Sequence, residues 1–242
     1  MCTVTFIPGK DKVFITSNRD EKLSRKQALV PALYMYKGWK MIFPKDAEAN
    51  GTWIALKENG DAAVLLNGAF IKHHSLPPYR ESRGVIFLDI LASKYPSYSF
   101  SKMDLSGIEP FTVILYERGS LYQFRWDGTE KFCKQMPAGR PHIWSSATLY
   151  DGLVIKKREQ WFAAFLNRNS FPTQQDILNF HRFTGDGDSN NDLLMSREGV
   201  YSTVSITSIL LTDGRGNMKY MDLKNSRQAE RNIELTGVTR VL

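Results

Sequence analysis

The sequence has few of the features that mark exported or membrane-spanning proteins. Only two of its 242 residues are cysteines, Cys2 and Cys133, too few for a disulfide framework. No apolar run approaches the 18 or so residues that cross a bilayer. The N-terminus lacks the basic and long apolar segments of a signal peptide. We therefore expect free thiols and a cytoplasmic location.

Motifs for common cofactors and metals are also missing. The chain has no glycine-rich phosphate loop, no Gly-x-Ser-x-Gly turn and no zinc signature. The adjacent His73 and His74 would point to opposite faces of a strand. The acidic segment 186–192 lacks the central glycine of a calcium loop and has Arg197 where the bidentate glutamate belongs. We expect neither a cofactor nor a bound metal.

The charge balance is basic without being concentrated. Lysine and arginine number 32 against 25 acidic residues, a formal net charge of +7. The densest cluster is only Lys156, Lys157 and Arg158, which does not predict a nucleic-acid surface. We expect a small-molecule ligand, with a mild preference for anions, and the composition is compatible with a homo-oligomer.

Hydrophobic patterning predicts strand hairpins at both ends of the chain and helices between them. Strands are expected near residues 3–6 and 13–17, and hairpins at three tight turns: Asn59-Gly60, Arg118-Gly119 and residues 213–216. Helices are expected at three segments: residues 84–94 capped by Ser82, residues 153–166, and residues 174–183 capped by Thr173. This order predicts an α+β fold with helices packed on sheets, in one domain spanning residues 1–242.

Cys2 carries the strongest chemical signal. Removal of Met1 would leave a chain whose first residue has a thiol and a free α-amine. An α-amine with a pKa of about 7.7–8.0 is partly neutral at pH 7 and lies within reach of the sulfur. One residue then supplies both nucleophile and base, as in enzymes with an N-terminal nucleophile. The alternative is that residue 2 simply opens a strand.

A polar segment ends the strand that should pair with the first. Asn18, Arg19, Asp20 and Glu21 follow one another there, and a hairpin of this length returns them beside Cys2. A carboxylate can orient an α-ammonium group, and a guanidinium can favour a thiolate. Without further context, four polar residues after a strand would indicate only a turn.

Together these motifs resemble the NRDE family, which includes transport and Golgi organisation 2-like proteins. Besides Cys2 and the tetrapeptide at residues 18–21, the likeness rests on Gly51-Thr52-Trp53, residues 65–68 (Leu-Leu-Asn-Gly) and Ser82-Arg83-Gly84. The resemblance implies a four-layer α-β-β-α sandwich of the N-terminal-nucleophile hydrolase type, similar to conjugated bile acid hydrolase and penicillin V acylase.

The resemblance also implies roles for individual residues. Cys2 would be the nucleophile, Asp20 would orient its amine or thiol, and Asn67 would donate an N–H to the oxyanion. Arg19 is a candidate replacement for a family arginine that is expected at the position of Ser17.

Three departures from the family pattern affect the expected pocket. Besides Ser17, Ser146 stands where an asparagine is common, and Val204 replaces an arginine in the segment Ser202-Thr203-Val204. Asn18 and Ser146 are expected at the substrate.

Two functions follow from this reading. The first is a cysteine N-terminal-nucleophile amidohydrolase that cleaves a non-peptide linear amide of the N-acyl type through a thioester. The second is a non-catalytic protein that handles lipids or similar ligands and keeps the same fold.

Overall fold

The computed structural model describes residues 3–236. In chain order its strands are β1 (Thr3–Pro8), β2 (Lys12–Lys22), β3 (Leu29–Tyr36), β4 (Trp39–Lys45), β5 (Ile54–Lys57), β6 (Ala62–Asn67), β7 (Phe111–Glu117), β8 (Ser120–Trp126), β9 (Lys131–Met136), β10 (His142–Ser145), β11 (Ser196–Arg197), β12 (Tyr201–Thr212), β13 (Arg215–Asp222) and β14 (Arg227–Glu234). Its helices are α1 (Arg83–Leu91), α2 (Pro96–Lys102), α3 (Gly152–Arg168) and α4 (Gln174–Phe183).

The strands form two antiparallel sheets that pack face to face. The first sheet runs in the order β10-β1-β2-β12-β13-β14, with β11 added beside β12. The second sheet is a meander from β3 to β9 in chain order. Helices α3 and α4 cover the outer face of the first sheet, and α1 and α2 cover the second. The predicted α+β class and its four-layer α-β-β-α sandwich are confirmed.

Alternation along the strands explains why the first sheet is buried on both faces. On β2, Val13 and Ile15 join the main core, which fills the space between the sheets. Phe14 faces the other way and packs with Phe162 and Phe180 of the helices in a second cluster. Successive side chains of a strand point to opposite faces, so one strand serves both layers.

Local signals placed several elements correctly. Helix α4 has the predicted bounds, and Thr173 forms a reciprocal capping box with Asp176. The Ser82 side chain caps α1 by accepting a hydrogen bond from the Val85 N–H, but this helix ends at Leu91, three residues earlier than predicted. No helix in the described part of the chain is long and apolar enough to cross a membrane.

Other elements were not predicted from the sequence: the strands β3, β4, β9, β10, β11 and β14 and the helix α2. Strand β14 is almost entirely polar, with the sequence RQAERNIE, and as an edge strand it is held mainly by backbone bonds to β13. Helix α2 begins at Pro96, which tolerates the first turn of a helix because its missing N–H would be unpaired there.

Candidate active site

The start of β1 lies between two other strands. Thr3 is paired with Asn18 of β2 on one side and with Ser145 of β10 on the other. Cys2, the predicted nucleophile, lies outside the described residues. The structure therefore places the residue bonded to it, and the polar segment of β2 runs alongside that residue as the predicted hairpin requires.

Asp20 is a buried carboxylate held by two hydroxyl groups. It is 3% exposed, and its Oδ2 accepts a hydrogen bond of 2.8 Å from the Tyr150 hydroxyl. Its Oδ1 accepts one of 2.5 Å from Thr203 Oγ1. A shift of register between Thr203 and Ser205 occurs where β12 passes Asp20. These contacts fix both carboxylate oxygens in orientation.

Asn67 ends β6 with its side chain at the wall of a cavity. Its carboxamide makes no hydrogen bond within the described part of the chain, whereas its backbone oxygen accepts one of 2.8 Å from Ser146 Oγ. Ser146 is 1% exposed and also bonds Thr148 Oγ1 at 2.8 Å. Ser146 therefore contacts the backbone of Asn67, and the amide of Asn67 is available to a ligand.

Arg19 lies on the opposite face of β2 from Asn18. Its Nη2 donates to Asp46 Oδ2 at 2.6 Å, and its guanidinium lies 4.3 Å from the centroid of the Trp53 ring. Asp46 is also bound by Arg25 Nε at 2.9 Å. Burial lowers the pKa of Arg19, an effect opposed by Glu21 and Asp46. Arg19 lines a second, smaller cavity of about 420 Å³.

Asn18 is fully buried and its amide is occupied. Its Nδ2 donates to the carbonyl oxygens of Leu193 at 2.7 Å and His181 at 3.1 Å, and its Oδ1 lies 2.6 Å from His181 Nδ1. It is not among the residues that line either cavity. The structure thus brings Asp20 and Asn67 to one cavity and places Asn18 beneath it, between the sheet and α4.

The main cavity has a volume of about 1340 Å³, large enough for a small-molecule substrate. Asp20, Asn67 and Tyr150 lie on its wall together with the apolar side chains of Phe70, Ile71, Leu149, Val154, Ile155 and Val200. The smaller cavity shares five lining residues with it: Glu21, Arg25, Asn67, Arg83 and Glu109. Asn67 therefore stands where the two spaces meet.

The charges that line the main cavity are balanced. Its basic residues are Lys22, Arg25, Lys72, Arg83 and Arg197, and its acidic residues are Asp20, Glu21, Glu109, Asp151 and Glu198. Several are paired directly, such as Arg83 with Glu109 at 3.0 Å. Burial lowers the pKa of Arg83, and Glu109 acts against that shift. The net charge of the whole chain is therefore not concentrated at this cavity.

Three residues of the site were not predicted from the sequence. Tyr150 and Arg158 lie more than a hundred positions from Asp20, in segments without a motif, and no sequence signal links them to it. Thr203 belongs to the Ser202-Thr203-Val204 segment. The family pattern there indicated only the arginine that Val204 replaces and gave Thr203 no role. Its contact with Asp20 gives that threonine a role.

The two facing sheets and their covering helices have the arrangement of the N-terminal-nucleophile hydrolase fold. The chain belongs to the Transport and Golgi organisation 2 family, whose sequence model matches residues 1–184. No curated protein sequence matches it.

Solved structures of known hydrolases share the fold at low sequence identity. A variant of conjugated bile acid hydrolase from Clostridium perfringens has a TM-score of 0.60 at 12% identity, covering 95% of this chain and 92% of that one. The Caenorhabditis elegans ortholog of N-acylethanolamine-hydrolyzing acid amidase also has a TM-score of 0.60, at 11% identity, covering 86% and 92%. At these identities the likeness establishes the fold alone.

Proposed function

We propose that the chain is a cysteine-dependent N-terminal-nucleophile amidohydrolase that cleaves a non-peptide linear amide of the N-acyl type. The observation that carries this proposal is a continuous series of contacts between the start of β1, Asp20 and Asn67. Thr3 pairs with Ser145, and the next residue, Ser146, donates a hydrogen bond to the backbone oxygen of Asn67. Arg158 donates to Thr3 Oγ1 and lies over the Tyr150 ring. The Tyr150 hydroxyl in turn donates to Asp20. These contacts hold Asp20, Asn67 and Thr3, the residue bonded to Cys2, in one unit, and this supports the proposal.

The proposed reaction begins after removal of Met1. The Cys2 thiol transfers its proton to its own α-amine, and the sulfur attacks the carbonyl carbon of the amide. Asp20 orients the resulting ammonium group, and the Asn67 side chain donates a hydrogen bond to the oxyanion. One such donor contributes about 2.7–4 kcal/mol to lowering the barrier. The ammonium then protonates the leaving amine as the carbon–nitrogen bond breaks, and water hydrolyses the thioester to release the acid.

The substrate class follows from chemistry and from the relatives. Two proteins of this fold are named for hydrolysing conjugated bile acids and N-acylethanolamines, and the apolar wall of the main cavity suits an acyl group. The balanced lining charges do not support the anionic preference expected from net charge. A cytoplasmic location is part of the proposal, in keeping with the low cysteine content of the chain.

A non-catalytic role in handling lipids or similar ligands is the second candidate. It is favoured by the exposed apolar side chains at the cavity: Phe70 is 49% exposed, Ile71 77% and Val200 50%. Unpaired apolar groups on a concave surface are typical of ligand sites whether or not a reaction follows. Arg19 and Ser146, moreover, are already bound to protein groups.

Selective alkylation of Cys2 separates the two candidates. Intact mass first establishes whether Met1 is removed, and alkylation is then followed from pH 5 to pH 9 by peptide mass. Cys133 is an internal reference: the residue is exposed, and partial burial of its thiol raises the pKa of that thiol. For the hydrolase, the midpoint of the Cys2 profile should lie at least about one pH unit below the ordinary thiol pKa of about 8.5, and Cys133 should react more slowly than Cys2 at pH 7.

Turnover completes this test. A library of N-acyl amides is assayed with the wild type, with Cys2→Ala and with Cys133→Ser as the matched control. We expect hydrolysis to disappear in Cys2→Ala and to persist in Cys133→Ser. Retained Met1, an unreactive Cys2 and no Cys2-dependent turnover in a folded protein would exclude the hydrolase and favour ligand handling.

A further inference from the structure

Tyr150 connects the Asp20 carboxylate to two arginines. The side chain is 4% exposed, and its hydroxyl donates to Asp20 Oδ2 at 2.8 Å. The guanidinium of Arg158 lies over the Tyr150 ring at 3.6 Å from the centroid, and that of Arg197 lies over it at 5.1 Å. A cation over an aromatic ring is attracted to its π electrons, and it polarises the phenol O–H toward its acceptor.

Arg158 has a second attachment, at the beginning of β1. It is fully buried and donates to Thr3 Oγ1 and to the carbonyl oxygens of Asn191 at 3.0 Å and Asp192 at 2.8 Å. These acceptors are neutral, and Arg158 forms no ion pair within residues 3–236. Its positive charge is therefore directed at neutral oxygens and at the Tyr150 ring. One side chain of α3 thus holds the residue next to Cys2 and the ring that holds Asp20.

Thr203 supplies the other hydrogen bond to the carboxylate. Its Oγ1 accepts from the Met195 N–H at 2.9 Å and lies 2.5 Å from Asp20 Oδ1 but 3.3 Å from the Leu193 oxygen. A hydroxyl has one proton, and the shorter distance to a charged acceptor assigns it to Asp20. Tyr150 is therefore a donor at one carboxylate oxygen, as Thr203 is at the other.

We propose that Tyr150 is a positioning residue of the site, which orients Asp20 and partly neutralises its charge while Arg158 aligns the ring with the start of β1. This inference rests on the proposed function, because it acts on the carboxylate that would orient the α-amine of Cys2. The charged groups on the elements around Tyr150 and Asp20 include Arg158, Lys156, Lys157 and Glu159 on α3, Arg197 on β11, Arg19, Glu21 and Lys22 on β2, and Asp151 and Asp192 on the adjoining loops.

The test is the pH profile of Cys2 alkylation in Tyr150→Phe. This variant keeps the ring under the two guanidiniums and removes only the hydroxyl. A carboxylate with one donor fewer is more negative toward its neighbours, so it disfavours a thiolate and retains the proton on an ammonium group. We expect the midpoint of the Cys2 profile to move to higher pH and the rate at pH 7 to fall about threefold to tenfold, corresponding to about half to one pH unit.

Tyr116→Phe is the matched control. Tyr116 is also a buried phenol, 1% exposed, and its hydroxyl has no hydrogen-bond partner within residues 3–236. The Tyr116→Phe variant should keep the wild-type pH profile of Cys2 alkylation. In each variant Cys133 should be alkylated at the wild-type rate. If Tyr150→Phe fails to give a folded protein by circular dichroism, Arg197→Gln replaces it, with a smaller shift expected in the same direction.

The outcomes separate the two proposals. An activated Cys2 in the wild type with an unchanged profile in the variant overturns the role of Tyr150 and leaves the hydrolase standing. A wild-type Cys2 that titrates as an ordinary thiol overturns both. A shift shared by Tyr116→Phe would trace the effect to general loosening of the fold and would also overturn the role of Tyr150.

Discussion

His181 sits in a closed network of polar side chains under the first sheet. It is completely buried, with Nε2 at 2.8 Å from Thr5 Oγ1 and Nδ1 at 2.6 Å from Asn18 Oδ1. Asn18 uses its NH₂ group for two carbonyl oxygens, so its Oδ1 is the acceptor and Nδ1 carries the proton. Nε2 is then the acceptor for the Thr5 hydroxyl, and the ring is neutral.

This arrangement predicts that stability falls in mild acid. Burial, with a smaller effect of Arg158, lowers the pKa of His181 to about 3, against about 6.5 in an unfolded chain. Between these values the unfolded state binds more protons, so the free energy of unfolding decreases as the pH falls. Urea titrations should show a loss from this group of about 2 kcal/mol between pH 7.5 and pH 5.

The control for this prediction is His181→Gln, which cannot titrate. Between pH 7.5 and pH 5, the free energy of unfolding of this variant should fall by about 2 kcal/mol less than that of the wild type, whatever its value at pH 7.5. Equal losses of unfolding free energy in the two proteins would show that His181 does not cause the loss of stability in mild acid.

At the level of residues, the sequence singled out those proposed site residues that stand in recognisable motifs. Asp20 and Asn67 stand in recognisable motifs, and the structure brings both to one cavity. Tyr150 and Arg158 have no such signature, since a tyrosine and an arginine far along the chain acquire a role only when α3 packs on the first sheet. Arg19 belongs to the same tetrapeptide as Asp20, yet strand alternation directs it to the opposite face and toward Asp46.

At the level of elements, two glycines allow α1 to pack closely on the loop before β5. A Cβ on Gly51 would lie 2.4 Å from the backbone carbon of Gly84, and one on Gly84 would lie 2.9 Å from the Thr52 oxygen. Backbone atoms cannot move aside as the end of a flexible side chain can. These glycines belong to two of the motifs that carry the family resemblance, and close packing gives them a physical reason.

Gly51→Ala should therefore destabilise the protein by about 1–3 kcal/mol, the usual cost of overpacking. The measurement is the midpoint of urea unfolding at constant slope. Gly139→Ala is the matched control, because a Cβ there meets nothing within 4 Å, and its stability should stay within about 0.5 kcal/mol of the wild type. If Gly51→Ala leaves the free energy of unfolding unchanged, the loop before β5 and α1 can move apart without destabilising the protein.

Elements were predictable where local chemistry defined them. Thr173 and Asp176 make a capping box that fixes the start of α4. Arg118 and Gly119 take the positive φ angles of 50° and 83° that a tight hairpin needs. Strand β14 lacks any such signal, because its pairing with β13 depends on the backbone of a distant partner rather than on its own side chains.

At the level of the whole molecule, the net charge of +7 and the balanced charges of the cavity lining predict different behaviour toward an anionic reagent. If the excess charge acted at the site, an anionic reagent would be attracted to it, and the attraction would weaken with salt. Charges more than a Debye length of about 10 Å away are largely screened at 0.1 M salt. With equal numbers of basic and acidic side chains on the cavity wall, no such attraction is expected.

Alkylation of Cys2 by iodoacetate and by neutral iodoacetamide compares the two cases. The ratio of the two rates at pH 8 should change by less than about twofold between about 0.02 M and 0.3 M salt. Arg83→Gln provides the contrast, because it removes one positive charge from the cavity wall and leaves the Glu109 carboxylate with only the His73 ring beside it among the described residues, at 3.1 Å. The variant should therefore react more slowly with iodoacetate at low salt and recover at high salt. A wild-type ratio that falls steeply with salt would place a positive field at the cavity and restore the anionic substrate that net charge alone suggests.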